Sequence, residues 1–346
     1  MFQLLKRPSA LSAAVLLSAV AAAAVQNSPR SSSKLGLAEV EASYPGALSL
    51  VQTRVARHSK ETAATTTIPP MMILQRGCSG SSVVMRMTRD MLQSLAVPLY
   101  PLGIKEIARV DQPEKNPWFL PGGRLGDAML RGVEEASQAG QTLLFNAAKI
   151  KSWSENEEMQ YLNQVLRELK TRVVIVHRNN SLDTVVCEIR DCFVGGRGIA
   201  RGYPVDTAGN EDQTCFDRRT QSAENKTKAL INTTTLPENM EFGERYPQDM
   251  QASVTEIGLE GRDIVLFEDL VSHEYLDTNL PRSTSAWMKL LSSLGVNATE
   301  ASVSAVLSKA VGSYHAPEPH SETVYNIEEV EEFLGKDQSR SWMLRT

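Results

Sequence analysis

Short apolar runs alternate with stretches of helical periodicity from Pro69 onward, and this alternation restricts the fold more than any other feature of the chain. Residues 157–170 carry apolar side chains at helical spacing, and Val173–Val176 then forms a continuous β-branched run. A run without polar alternation is typical of a strand buried on both faces of a parallel sheet. The alternation therefore predicts an α/β fold in three layers, with a central, mainly parallel sheet flanked by helices.

The same patterns place the other elements of the sheet and its helices. Further strands are predicted at Met71–Leu74, Leu143–Phe145 and Ile264–Phe267. Helices are predicted after Gly80, in the stretch AWMKLLSSLGV that Gly295 is placed to end, and around Ile327–Leu334.

Composition and charge limit the class of partner. The chain has 346 residues, of which 42% are hydrophobic, enough for one large core or two smaller ones. Its formal net charge is −5 and its pI is about 5.7. A broad basic face for duplex nucleic acid is therefore not expected, whereas a local group of arginines could still bind one small anion.

The N-terminal segment has the pattern of a targeting sequence. Lys6 and Arg7 precede an apolar stretch, Leu11–Val25, that ends in small residues resembling a signal-peptidase site. This stretch is shorter than the roughly 20 residues that span a bilayer comfortably. We therefore expect residues 1–25 to be a signal peptide, with a short membrane anchor as the alternative. The protein is then secreted or lies in the secretory pathway, for example in the Golgi lumen; an organellar transit peptide is the other alternative, because residues 26–34 are rich in serine and lack acids.

The rest of the chain divides by composition. Residues 26–68 are rich in Ser, Thr and Ala without a sustained period, which is typical of a flexible stem. Residues 69–346 are expected to form one catalytic domain. Within it, residues from about 195 to 239 are polar and break the alternation, so we expect an insertion over the ligand-binding edge of the sheet.

Four cysteines occur in the chain, at Cys78, Cys187, Cys192 and Cys215. In an oxidising lumen a Cys192–Cys215 disulfide would close the polar loop between the two residues, and this is the pair we expect. The sequence is compatible with three complete pairings and with a fully reduced state.

Several asparagines begin N-x-S/T sequons, a pattern that suits a secreted or luminal chain. They are Asn225, Asn232 and Asn297. Asn179 begins a fourth sequon, but it lies inside the site described next, and we expect no glycan there.

The stretch RGCSGSS, Arg76–Ser82, lies between a predicted strand and a predicted helix, the order that an anion-binding site needs. Backbone N–H groups at a helix start are unpaired, and the helix dipole adds about half a positive charge there. Gly77 and Gly80 let the backbone approach a ligand. No lysine occurs in the loop, so a nucleotide-hydrolysing P-loop, which needs G-x-x-x-x-G-K-[ST], is disfavoured. An ordinary strand-to-helix turn is the simpler alternative.

A second polar turn follows the strand Val173–Val176, which ends in His177 and Arg178. An arginine at the carboxyl end of a parallel strand lies where open α/β sheets bind ligands, and its planar fork suits a phosphate. The side chain of His177 should point to the opposite face of the strand, which favours a structural role. Two anion sites on neighbouring strands predict a ligand with phosphates at two positions of one nucleotide.

These stretches resemble the sulfotransferase family that uses 3′-phosphoadenosine 5′-phosphosulfate (PAPS). RGCSGSS is similar to the family's 5′-phosphosulfate loop, and VIVHRNNSLDTVVC, Val174–Cys187, is similar to its 3′-phosphate segment. IVLFEDL, Ile264–Leu270, followed by WMKLLSSLGV, is similar to the late strand, E-D-L turn and helix, and VYNIEEVEEFL is similar to the closing helix. The resemblance runs over most of Ile73–Leu344 and implies a P-loop-like fold.

The resemblance also implies roles for individual residues. Those implied to bind the 5′-phosphosulfate are Arg76, Gly77, Cys78, Ser79, Gly80, Ser81 and Ser82. Arg178, and Cys187 near the position of a family serine, are implied to bind the 3′-phosphate. Two departures matter: Cys78 stands where a basic residue is usual, so that Arg76 would have to reach in, and a thiol at Cys187 is a weaker donor than a hydroxyl.

Sulfuryl transfer needs a base for the acceptor's proton. In several branches of the family this base is a glutamate after the first helix, which corresponds here to Glu106; a solvated carboxylate paired with Lys105 or Arg109 is the alternative. Lys149 and Lys151 lie where many members keep a lysine near the transferred group. The histidines show no metal-ligand spacing and no C-x-x-C pair occurs, so no metal is expected.

The sequence therefore predicts a luminal or secreted sulfotransferase that moves a sulfuryl group from PAPS to an acceptor hydroxyl on a glycan, a protein or a small molecule. Two alternatives differ in class. One is a catalytically degenerate sulfotransferase fold that acts as a binding module, which the two cysteine departures favour. The other is a P-loop nucleotide kinase, which the missing loop lysine disfavours.

Overall fold

Four parallel strands form the central sheet of the computed structural model, in the order β2–β1–β3–β6. These strands are β1 (Met71–Gln75), β2 (Leu144–Ala147), β3 (Arg172–His177) and β6 (Glu260–Leu266). All residues of β1 and β2 are buried, and the β-branched run of β3 has no exposed surface. The unbroken apolar sequence of these strands is what burial on both faces requires. The predicted α/β class with a parallel sheet is confirmed.

The structure describes residues 68–78, 80–100, 116–148, 156–190, 203–205, 228–271, 280–310, 319–337 and 339–344, all of which belong to one unit, Arg57–Thr346. The helices are α1 (Ser81–Ser94), α2 (Leu125–Gln138), α3 (Glu157–Glu168), α4 (Ser181–Arg190), α5 (Leu236–Ile257), α6 (Phe267–Val271), α7 (Leu280–Ser293), α8 (Glu300–Ala310), α9 (His320–Thr323) and α10 (Ile327–Gly335). A 3₁₀ turn, Ser341–Met343, follows α10, and two short strands are β4 (Tyr203–Val205) and β5 (Lys228–Leu230).

Helices cover both faces of the sheet. On one face, alternate strand side chains such as Ile73, Val174 and Val265 pack with α1, α7 and α8 around the fully buried Trp287. On the opposite face, α5 packs against β3 and β6, and α3 packs against α5. Because both faces are covered, strands without a polar face are stable here.

A second apolar core surrounds α4 beside the sheet. Val185 and Ile189 of α4 pack with β5, with the start of α5 and with α10. β5 also pairs antiparallel with β4, so part of the region expected to be a polar insertion, residues 195–239, is a two-stranded ribbon. Leu236 of the same region already begins α5. Residues 231–235 connect β5 to α5, and residues 195–202 and 206–227 lie outside the described residues.

The expected signal segment, residues 1–25, and all but the last residue of the expected stem, residues 26–68, lie outside the described residues. Among the helices that the structure describes, none combines the length and the apolar composition that crossing a bilayer requires.

Candidate functional site

Two polar turns meet at the carboxyl edge of the parallel sheet. The glycine turn, residues 76–80, connects β1 to α1, and the arginine turn, residues 178–180, connects β3 to α4. β1 and β3 are neighbours, with Gln75 opposite Val176, so the two turns begin side by side. Nη1 of Arg178 donates a hydrogen bond to the carbonyl oxygen of Cys78 at 3.2 Å. The strand-end arginine is therefore in direct contact with the glycine turn.

The glycine turn has a backbone conformation that few residues tolerate. Cys78 and Gly80 have φ angles of 61° and 76°, in the left-handed region where a side chain is strained. A Cβ on Gly80 would also overlap the ring of Phe267, which lies against this residue. The carbonyl of Gly80 accepts hydrogen bonds from the N–H groups of Val83 and Val84, which begins α1. Both its φ and the neighbouring ring require glycine at position 80.

A disulfide joins Cys78 to Cys187 of α4, with the two Cα atoms 5.6 Å apart. A disulfide sulfur carries no S–H, so Cys187 cannot donate a hydrogen bond to a phosphate. The expectation of a weak thiol donor at Cys187 is therefore wrong, and the fully reduced state is excluded. Cys192 and Cys215, the pair favoured from the sequence, lie outside the described residues. Among the three ways of pairing all four cysteines, the one that contains Cys78–Cys187 also joins Cys192 to Cys215.

Arg178 is held by charge, by hydrogen bonds and by an aromatic ring. Its Nη2 forms an ion pair with Asp183 at 2.8 Å, and its guanidinium carbon lies 5.2 Å from the centroid of the Phe267 ring. Asp183 also contacts Nε2 of His320 at 2.8 Å, and both of these residues are buried. Nε of Arg178 is buried and makes no hydrogen bond to any described residue. Arg178 thus keeps one unused donor, although a carboxylate already balances its charge.

Arg76 lies on the α5 side of the sheet. Its Nη2 is 2.7 Å from Oε1 and 2.9 Å from Oε2 of Glu188, and its guanidinium lies over the ring of Phe242, 4.7 Å from the centroid. The side chains of Arg76 and Glu188 are only 14% and 5% exposed. Burial raises the pKa of Glu188, and the positive charge and hydrogen bond of Arg76 oppose that rise. Arg76 therefore enters the site as half of an ion pair rather than as a free charge.

Glu268 occupies the backbone donors at the start of α4. Its two carboxylate oxygens accept hydrogen bonds from the N–H groups of Asn179 and Asn180, at 3.0 and 2.9 Å. A carboxylate is stabilised at a helix N-terminus by these unpaired donors and by the helix dipole. The structure thus places this carboxylate of the E-D-L turn on a turn that precedes it by almost ninety residues, at separations of 89 and 88.

His177 lines a small cavity together with Arg178, with Arg76 and, on α5, with Gly243 and Tyr246. That its side chain points to the opposite face from Arg178 stays a prediction. Burial is the main cause that lowers the pKa of His177 to about 4; the charge of Arg76 adds to this effect and Glu244 opposes it. The imidazole is therefore neutral at pH 7.

The structure brings six of the implied binding residues into one region: Arg76, Gly77, Cys78, Gly80, Arg178 and Cys187. Ser81 and Ser82 begin α1, but their side chains are outside the described part of the chain. The remaining residues with expected roles lie outside the described residues: Ser79, Glu106, Lys149 and Lys151.

Sequence reasoning missed the carboxylates of the site. Asp183 lies five residues after its partner Arg178, and its place in the first turn of the predicted helix is a signal that could have identified it. Glu188 pairs with a residue 112 positions earlier, and Glu268 pairs across the sheet in the same way. For these two carboxylates the sequence carries no local signal.

Comparison with protein-family models, with curated proteins and with solved structures gives no match for this chain. Within the part of the chain that the structure describes, no group of three or more His, Cys, Asp or Glu side chains is arranged to hold a metal ion.

Proposed function

We propose that the protein is a sulfotransferase with a P-loop-like fold that transfers a sulfuryl group from PAPS to an acceptor hydroxyl in the secretory pathway. The observation that carries this proposal is the contact between Arg178 and the carbonyl of Cys78. It brings a strand-end arginine and a glycine turn together, as two anion sites for one bisphosphorylated nucleoside need. The order of the four family-like stretches along the chain supports the same function.

The residues present fit such a ligand. Arg178 has a buried Nε that no described residue uses, and a guanidinium with a spare N–H suits a phosphate oxygen. Arg178 would hold the 3′-phosphate, and the backbone of residues 77–82 would hold the 5′-phosphosulfate. The bound donor supplies an activated sulfuryl group for the acceptor oxygen. Glu106 is the residue that we propose takes the acceptor's proton.

A specific observation favours a second candidate, a sulfotransferase-like fold that binds a ligand without catalysis. Both arginines of the site already have a carboxylate partner, Glu188 for Arg76 and Asp183 for Arg178. In addition, Cys187 has no thiol hydrogen to offer. A nucleotide with several negative charges must compete with these carboxylates, which weakens its binding relative to a site with free arginines.

Calorimetric titration with 3′,5′-adenosine bisphosphate tests the proposal on the oxidised full chain. We expect binding by the native protein and a loss of about tenfold or more in affinity for Arg178→Ala, because a hydrogen bond to a charged group contributes roughly 1.5–3 kcal/mol. Arg124→Ala is the matched control, because Arg124 is about half exposed and pairs with Glu158 on the surface. We expect it to bind like the native protein.

A transfer assay with PAPS and a panel of glycans and tyrosine peptides separates the two candidates. Sulfate transfer that is lost in Glu106→Gln, with affinity for the bisphosphate retained, supports the enzyme. Binding without transfer to any acceptor supports the binding module. Absence of binding by the native protein overturns both.

A further inference from the structure

The sequons of the chain differ in whether the asparagine amide and the Ser or Thr hydroxyl are already hydrogen-bonded or buried. N-linked glycosylation joins a sugar to the side-chain nitrogen of asparagine in N-x-S/T and needs an accessible surface site. Three of the four sequons, at Asn179, Asn232 and Asn297, fall within the described residues, and Asn225 lies outside them.

At Asn232 both reacting groups are accessible. Asn232 and Thr234 are exposed in the connection between β5 and α5. Oδ1 of Asn232 accepts a hydrogen bond from the N–H of Thr234 at 3.0 Å, which holds the side-chain amide in an Asx turn. Among the described residues, neither Nδ2 of Asn232 nor the hydroxyl of Thr234 has a hydrogen-bond partner. The amide nitrogen therefore projects from a fixed turn into solvent.

At the other two sequons the hydroxyl residue is already engaged. The hydroxyl of Thr299, which completes the sequon of Asn297, exchanges hydrogen bonds with the N–H and the hydroxyl of Ser302 at 3.2 and 3.1 Å. The hydroxyl of Ser181, which completes the sequon of Asn179, is buried and contacts Sδ of Met343 at 3.6 Å. Using the hydroxyl of Ser181 would require the folded structure to open locally. Thr299 is exposed, and its hydroxyl would have to give up its hydrogen bonds with Ser302.

We propose that Asn232 is an N-glycosylation site and the preferred one among the three described sequons. The donor is an oligosaccharide carried on a polyprenyl diphosphate. A bond forms between Nδ2 of Asn232 and the anomeric carbon, the bond from that carbon to the diphosphate oxygen breaks, the amide loses one proton, and the lipid diphosphate leaves. Asn232 belongs to the connection between β5 and α5 and not to either anion-binding turn, so this inference goes beyond the proposed sulfotransferase activity and needs only the secretory route.

Peptide mapping tests the site on the full chain secreted from a eukaryotic cell. Enzymatic release of N-glycans in heavy-oxygen water converts each glycosylated asparagine to a labelled aspartate. We expect the label at Asn232, at higher occupancy than at Asn179 or Asn297. An unlabelled Asn232, or higher occupancy at either of the other two sites, overturns the proposal.

Two neighbouring substitutions provide a matched pair for the same measurement. Thr234→Ala destroys the sequon, and we expect the protein to migrate as a smaller species with no label at Asn232. Thr233→Ala keeps the sequon but removes the hydrogen bond from Thr233 to Glu329, so it controls for disturbance of the same turn. Loss of the label in both variants would overturn the assignment. Binding of 3′,5′-adenosine bisphosphate, measured on the same material, reports separately on the proposed function.

Discussion

The sulfur of Cys78 is bonded to that of Cys187, 109 residues further along the chain, and the carbonyl of Cys78 accepts a hydrogen bond from Arg178. Cys78 of the glycine turn is thus fixed both to α4, through the disulfide, and to the arginine turn, through Arg178. The positive φ of Cys78, which strains a side chain, persists because these two links hold it.

Removal of the disulfide should destabilise the protein substantially. A cross-link that closes a loop of about 100 residues stabilises a fold by about 5 kcal/mol in the chain-entropy model. We expect the double variant Cys78→Ser/Cys187→Ser to lower the free energy of unfolding by an amount of that order, as measured by urea denaturation. A change below about 1 kcal/mol would show that this bond contributes little to the stability of the fold.

Gly80→Ala should destabilise the protein more than Gly140→Ala does. Both glycines have positive φ, 76° and 68°, but a Cβ at Gly140 meets no atom within 4 Å, whereas one at Gly80 overlaps the ring of Phe267. The strain at φ is therefore common to both variants, and overpacking adds about 1–3 kcal/mol at Gly80. Denaturation curves of the two variants measure the difference. In a Phe267→Ala background the difference should disappear, and its persistence would exclude the ring as its cause.

Glu188→Gln should cost about 3 kcal/mol or more of stability, because it removes the charge of the buried carboxylate that pairs with the buried guanidinium of Arg76. Glu332→Gln is the control: it removes the equivalent partner of Lys336 in a pair whose side chains are 73% and 72% exposed, where a salt bridge contributes little. Equal effects of the two substitutions on the free energy of unfolding would contradict the importance of the buried pair.

The free energy of unfolding should decrease as pH is lowered, because His177 titrates differently in the folded and unfolded states. The folded protein holds the pKa of this residue at about 4, below its ordinary value of 6.5. Between pH 6.5 and 4 the unfolded chain therefore binds a proton that the folded protein does not, and the free energy of unfolding decreases as pH falls, by up to about 3 kcal/mol from this residue. Above this window the imidazole is neutral in both states, and below it both states are protonated.

His177→Gln removes this titration. The raised pKa of Glu188 changes stability in the opposite direction, since the folded protein binds a proton there more readily than the unfolded chain does. The effect of Glu188 is present in the native protein and in the His177→Gln variant. The difference between their curves of stability against pH therefore reports on His177. Parallel curves from pH 7 to pH 4 would contradict the prediction.

The sequence predicted the features of this fold that depend on local periodicity. The β-branched run that becomes β3 was identifiable because burial on both faces leaves no polar alternation. Gly80 marked the start of α1 in the sequence, and Gly295 marked the end of α7. Both glycines have positive φ.

The electrostatic partners of the site were not predictable in this way. Glu188 and Glu268 meet their partners only because β1, β3 and β6 bring distant segments to one edge. The sequence did not single out the Cys78–Cys187 disulfide for the same reason: the two cysteines are 109 residues apart in the chain and close only in space.

The links between the glycine turn and the segment 178–188 also set an order of events during synthesis. When Arg76 and Cys78 leave the ribosome, the chain that will supply their partners has not yet been made, since Glu188 lies 112 residues behind Arg76. Until then the guanidinium of Arg76 lacks the carboxylate of Glu188, and Cys78 carries a thiol. An oxidising catalyst can complete the turn only after α4 has emerged, so premature release of a shorter fragment would leave a thiol exposed to intermolecular exchange.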